Sequence, residues 1–70
     1  MFSDEEIKTD PILLYFSFEH LPEKLKVVSK PCCELAATII RTLARNPERT
    51  VALRKLLECK DAAVRTALTS

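Results

Sequence analysis

The apolar residues fall into three blocks with different spacings. The first is short. Ser3-Asp4-Glu5-Glu6 has the S-x-x-E form of a capping box and predicts a brief opening helix. Asp10-Pro11 stops it, because the residue before a proline is pushed out of the helical region. The run Ile12-Leu-Leu-Tyr-Phe-Ser-Phe18 is too short for its period to separate strand from helix, and it is read as an extended arm.

From Leu21 the spacing turns helical. Leu21, Leu25, Val28, Cys32, Leu35, Ile39 and Leu43 recur at steps of three and four, close to a heptad seam. Pro22 suits the first helical position, where its missing N–H costs nothing. Pro31 falls inside the pattern. It removes a donor and crowds the Val27 carbonyl, which predicts a kink between Val27 and Lys30. A second helix opens at Asn46, a good N-cap, with Pro47 at the first position and Glu48 in the first turn. Leu53, Leu56, Leu57, Ala63, Val64, Ala67 and Leu68 form its apolar stripe.

The predicted layout is one domain over 1–70. An N-terminal arm takes 1–20, a first long helix takes 21–45 and a second takes 47–68. The fold class is all-α: an antiparallel two-helix hairpin with a short N-terminal arm or helix. Ala36, Ile40, Leu56, Leu68 and the 12–18 run exceed what two helices bury against each other. A chain of 70 residues, 47% hydrophobic, is also too small to form a deep core alone. Both points predict a homo-oligomer, in which burying each large apolar side chain contributes roughly 1.5–3 kcal/mol.

Charge adds a polarity along the chain. Residues 1–22 carry a net −4 and residues 23–70 a net +5. A basic body behind an acidic arm fits an anion binder, but the excess is thin for duplex DNA, which is not expected as a partner. The longest apolar stretch, near Ile12 to Phe16, is far short of the ~20 residues of a membrane span. No secretory signal is recognised at the start, and a cytosolic setting with reduced thiols is expected.

Catalytic chemistry is sparse. Cys32 and Cys33 point about 100° apart on a helix, Cys59 and His20 stand alone in sequence, and no C-x-x-C pair exists, so no metal site or cofactor is expected. The absence of glycine excludes Gly-rich phosphate loops. Arg54, Glu58, Asp61 and Arg65 step by 4, 3 and 4, the spacing of an ion-pair ladder rather than a catalytic carboxylate pair. The chain is read as a non-enzyme. What remains is a binding kit. Tyr15, Phe16 and Phe18 can stack on bases, Lys24, Lys26 and Lys30 can hold phosphates, and Arg49, Thr50 and Arg54 open the second helix.

The segments Phe18-Glu-His-Leu-Pro, Val28-Ser-Lys-Pro and, above all, Asn46-Pro-Glu-Arg-Thr-Val-Ala-Leu-Arg-Lys-Leu-Leu-Glu-Cys-Lys-Asp-Ala-Ala-Val-Arg resemble small phage proteins of the helical-hairpin anti-CBASS sponge family. The likeness covers about residues 18–68. It implies a compact hexamer in the cytoplasm of an infected bacterial host. Such a hexamer would sequester cyclic dinucleotides, and in some members cyclic trinucleotides, without cleaving them. Carried over by position, the base-stacking aromatic falls on Phe18, with Tyr15 as the alternative, and the phosphate-holding lysine falls on Lys30. A trinucleotide pocket would draw on Arg49, Thr50 and Arg54. Where relatives often carry an aromatic after the Ser-Lys/Arg-Pro step, this chain has Cys32. The alternative function is a small oligomeric helical adaptor that binds a protein or nucleic acid through its basic face.

Overall fold

A capping box begins the chain as its spacing requires. Glu6 N–H donates to Ser3 Oγ at 3.1 Å, and Ser3 N–H donates to Glu6 Oε1 at 3.0 Å. In the computed structural model, which describes residues 1–69, this box opens α1, Asp4–Thr9. A 3-10 helix follows over Pro11–Phe16, then α2 over Glu23–Thr42 and α3 over Pro47–Leu68. The described residues are all helical apart from turns and connections, with no strand among them.

The arm is therefore not extended. Pro11 presets the first turn of the 3-10 helix, and Leu13 N–H donates to the Asp10 carbonyl at 3.0 Å. With three residues per turn, side chains three apart lie on one face. Leu13 and Phe16 share that face and are sealed from solvent, while Leu14 and Tyr15 point outward. An extended strand would have sent Leu13 and Phe16 to opposite sides. Tertiary burial of this pair decided the conformation.

α2 and α3 pack against each other, and the 3-10 helix packs on both. The buried face of α2 runs through Leu25, Ser29, Cys33, Ala36 and Ala37. This is displaced from the predicted seam: Leu35 and Leu43 are exposed, and Val28, Cys32 and Ile39 are only half-buried. The side chains on the true face are small from Ser29 onward, which leaves room for Phe16 and Leu13 to enter beside Leu53 and Leu57 of α3. Pro31 lies inside α2, which continues to Thr42. Val27 and Pro31 are both exposed, so the carbonyl robbed of its donor sits on the solvent side. At the start of α2, Pro22 occupies the N-cap position and Glu23 the first helical one.

On α3, Asn46 Oδ1 accepts from Arg49 N–H at 2.8 Å, capping a helix with Pro47 at its first position. Its buried residues are Arg49, Leu53, Leu57 and Lys60, so two cations share the inner stripe and Leu68 is left exposed. Both cations are used. Arg49 makes a two-pronged contact with Asp10, Nη2 to Oδ2 at 3.1 Å and Nη1 to Oδ1 at 3.4 Å. Lys60 Nζ donates to the Tyr15 carbonyl. The predicted ladder along α3 does not form; Glu58 pairs instead with Lys55 at 3.6 Å.

A third tie joins α1 to α2. Arg41 Nε and Nη2 donate to the two Glu6 carboxylate oxygens at 2.9 Å each, and Nη2 also reaches the Met1 carbonyl. The Arg41 guanidinium lies 5.9 Å from the centre of the Phe2 ring. The Arg41 hydrogen bonds, with help from Ser3, hold the Glu6 carboxyl down at about 2, against an ordinary value of 4.5.

Two stability tests follow from these contacts. Arg49→Ala leaves the largely buried Asp10 carboxylate without its cation and is expected to cost about 3 kcal/mol in chemical denaturation. Ser29 is fully buried with an unpartnered hydroxyl. Ser29→Ala is therefore expected to be neutral or stabilising, by up to about 1 kcal/mol. Because the Glu6 carboxyl is depressed in the fold, its contribution is complete above the unfolded value near 4.5 and is lost as pH falls toward 2. Urea titrations should find Glu6→Gln less stable than the parent at pH 7, with the gap closing by pH 2.

Candidate functional site

The first half of α2 presents Glu23, Lys26, Val27, Lys30 and Pro31 at helical steps of 3, 1, 3 and 1, so all five lie on one face. Phe18 is brought against that face by the turn before α2, in which Leu21 N–H donates to the Phe18 carbonyl at 3.0 Å. Together these six residues line an open groove of about 430 Å³. Phe18 is half-buried, with one side packed on the core and the remainder available to the groove. Lys26 is half-buried and Lys30 is exposed. A flat aromatic beside two ammonium groups can stack on a ring while phosphate oxygens accept from the lysines.

The groove holds three of the residues singled out from sequence, Phe18, Lys26 and Lys30, and Lys24 is not among its lining residues. Tyr15 lies outside it: its side chain is 65% exposed on the outer face of the 3-10 helix, and its carbonyl is taken by Lys60. Glu23, Val27 and Pro31 were not picked out from sequence as site residues. Their spacing from Lys30 on one helical face is the sequence signal for them, and a weak one, because an exposed valine and a first-turn glutamate have ordinary explanations.

The second set separates differently. Thr50 and Arg54 line a smaller groove of about 250 Å³ with Thr9, Asp10, Pro11, Ile12, Arg45 and Leu53. Arg45 is held there by its Nη2 bond to the Thr9 carbonyl at 3.2 Å. Arg49 does not line this groove. It is 6% exposed and committed to Asp10, so it cannot reach a phosphate without breaking a buried pair. Its role there is to fix the position of Asp10, which does line the groove. The Phe18 groove runs along the first half of α2, whereas the Thr50 groove is lined by the end of α1, the start of the 3-10 helix, the connection after α2 and the first turns of α3.

The thiols are divided by depth. Cys33 is buried, Cys32 is half-buried and Cys59 is exposed. Burial pushes the Cys32 and Cys33 thiols up, and the neighbouring Cys59 adds to the effect on Cys32. A raised thiol holds less thiolate, the nucleophilic form, so neither Cys32 nor Cys33 is activated. His20 is exposed. Among the described residues, no group of three His, Cys, Asp or Glu side chains could hold a metal ion, and no helix is long and apolar enough to cross a membrane.

Compared with known proteins, the chain matches no protein-family model, no curated protein and no solved structure.

Proposed function

We propose that this chain is a phage anti-defence protein: a homo-oligomer that binds and sequesters cyclic dinucleotides without cleaving them, and so blocks CBASS signalling in the cytoplasm of an infected bacterial host. The observation that carries the reading is the shared groove of Phe18, Lys26 and Lys30. An aromatic face and two cations on a rigid helix supply the two contacts a nucleotide needs, stacking and charge-assisted bonds to phosphate. The likeness of residues 18–68 to the sponge family points to the same pair.

Within this proposal the two long helices form an antiparallel hairpin. A connection of only four residues, 43–46, supports that arrangement, as does the closeness of Cys32 on α2 to Cys59 on α3. The oligomer, taken as a hexamer, is supported by apolar surface that one chain leaves uncovered. Leu14, Tyr15, Val27, Leu35, Leu43, Val51 and Leu68 are all about half exposed or more. The Phe18 groove is open on one side, so a second copy is the natural closure for a twofold-symmetric ligand. Tyr15, exposed beside it in sequence, is available to a neighbouring copy as the alternative stacking residue. Cyclic trinucleotides belong to the Thr50–Arg54 groove, where Arg45 joins them and Arg49 acts through Asp10.

Calorimetry against 3′,3′ cyclic dinucleotides and cyclic trinucleotides, with light scattering to count subunits, tests the proposal. Dinucleotide binding with a raised melting temperature is expected, and heating should return the ligand intact. Phe18→Ala and Lys30→Ala are each expected to abolish dinucleotide binding while the oligomer persists. Linear products after heating would show a phosphodiesterase instead. A basic-face signal with nucleic acid or protein, and none with cyclic nucleotides, would favour the adaptor.

A further inference from the structure

We infer that Glu23 sets the base preference of the Phe18–Lys30 groove, selecting guanine-bearing cyclic dinucleotides over adenine-bearing ones. The inference rests on the sequestration reading above and deepens it.

The groove has a charge order. Glu23 stands at its beginning, Lys26 one turn on, and Lys30 two turns on, all on the face that Phe18 flanks. At a rise of 1.5 Å per residue, Glu23 and Lys30 are roughly 10 Å apart along the helix. That separation is comparable to the reach of one nucleotide from its phosphate to the far edge of its base. The order also fixes which way round a nucleotide sits. A carboxylate repels phosphate, so the phosphate is driven to the Lys30 end and the base edge toward Glu23.

What a carboxylate can do for a base edge depends on the base. Carboxylate oxygens only accept hydrogen bonds. Guanine offers N1–H and the N2 amine side by side, two parallel donors that match the two oxygens. Adenine offers an acceptor at N1 beside its single amine, and an acceptor facing a carboxylate is repelled. Hypoxanthine keeps the N1–H and lacks the amine. A groove whose polar end is Glu23 therefore ranks guanine first, hypoxanthine second and adenine last. Two hydrogen bonds to a charged acceptor, set against a repulsive contact, correspond to roughly tenfold or more in affinity.

The ordinary role for Glu23 is electrostatic. It occupies the first turn of α2, where negative charge complements the helix dipole. That role predicts a change in stability on substitution and no change in base preference. The two roles therefore separate cleanly.

The test is calorimetry of the full chain with cyclic di-GMP, cyclic di-IMP and cyclic di-AMP, using the parent, Glu23→Gln and Glu23→Ala. The parent is expected to bind cyclic di-GMP at least about tenfold more tightly than cyclic di-AMP, with cyclic di-IMP between them. Both variants are expected to lose most of that ratio while keeping or improving their affinity for cyclic di-AMP, and circular dichroism should show the helices intact. Equal binding of the three ligands by the parent, or a guanine preference that survives in both variants, overturns the role of Glu23 and leaves sequestration standing. Binding of none of them by the parent overturns sequestration itself, and the role of Glu23 with it.

Discussion

Leu13 and Phe16 are three residues apart on a helix with three residues per turn, and both side chains are driven into the seam between α2 and α3. Two helices alone enclose only a stripe, and each face of that stripe would stay partly wet. The 3-10 helix supplies the missing wall. Its insertion explains why the inner face of α2, after Leu25, is built from Ser29, Cys33, Ala36 and Ala37 and not from further large aliphatics. Larger residues there would fill the space that the Phe16 ring occupies.

Apolar insertion sets the position of the arm, and three polar ties fix its register. Arg49 holds Asp10 at the start of the 3-10 helix, Lys60 holds the Tyr15 carbonyl near its end, and Arg41 holds Glu6 in α1. The acidic arm and basic body read from the charge pattern thus meet as specific partners. Of the three, Arg49–Asp10 is the buried ion pair. Such a pair adds little net stability compared with a hydrophobic replacement, but losing its cation leaves a poorly solvated carboxylate behind. The role of the three ties in this chain is to define one register for a short segment that could otherwise slide.

That division of labour shapes the candidate site. Arg49 and Lys60 are spent on the fold, while Lys26 and Lys30 line the groove on α2 beside Phe18. Phe18 is positioned by the turn that leaves the 3-10 helix, so the same insertion that completes the core also brings an aromatic to the start of α2. Folding of the arm and construction of the groove are one event. Glu23 supplies the opposite charge at one end and gives the groove a direction.

Local chemistry along the chain was enough to determine the capping box at Ser3, the stop at Asp10-Pro11 and the Asn46-Pro47 start of α3, because caps and prolines act within one turn of themselves. Closeness in sequence grouped Phe18 with Lys24, Lys26 and Lys30, and the family resemblance singled out Phe18 and Lys30 among them. Three features were decided only in three dimensions. The 12–18 run became a 3-10 helix because burying Leu13 and Phe16 together outweighed any local preference. The buried seam of α2 moved off Val28, Cys32 and Leu35 because a third element had to fit beside α3. Arg49 and Lys60 went inward because their partners, Asp10 and the Tyr15 carbonyl, lie some forty residues away in sequence, beyond the reach of any periodicity. Spacing reports which face a residue shares with its neighbours, and only the packed chain reports what that face meets.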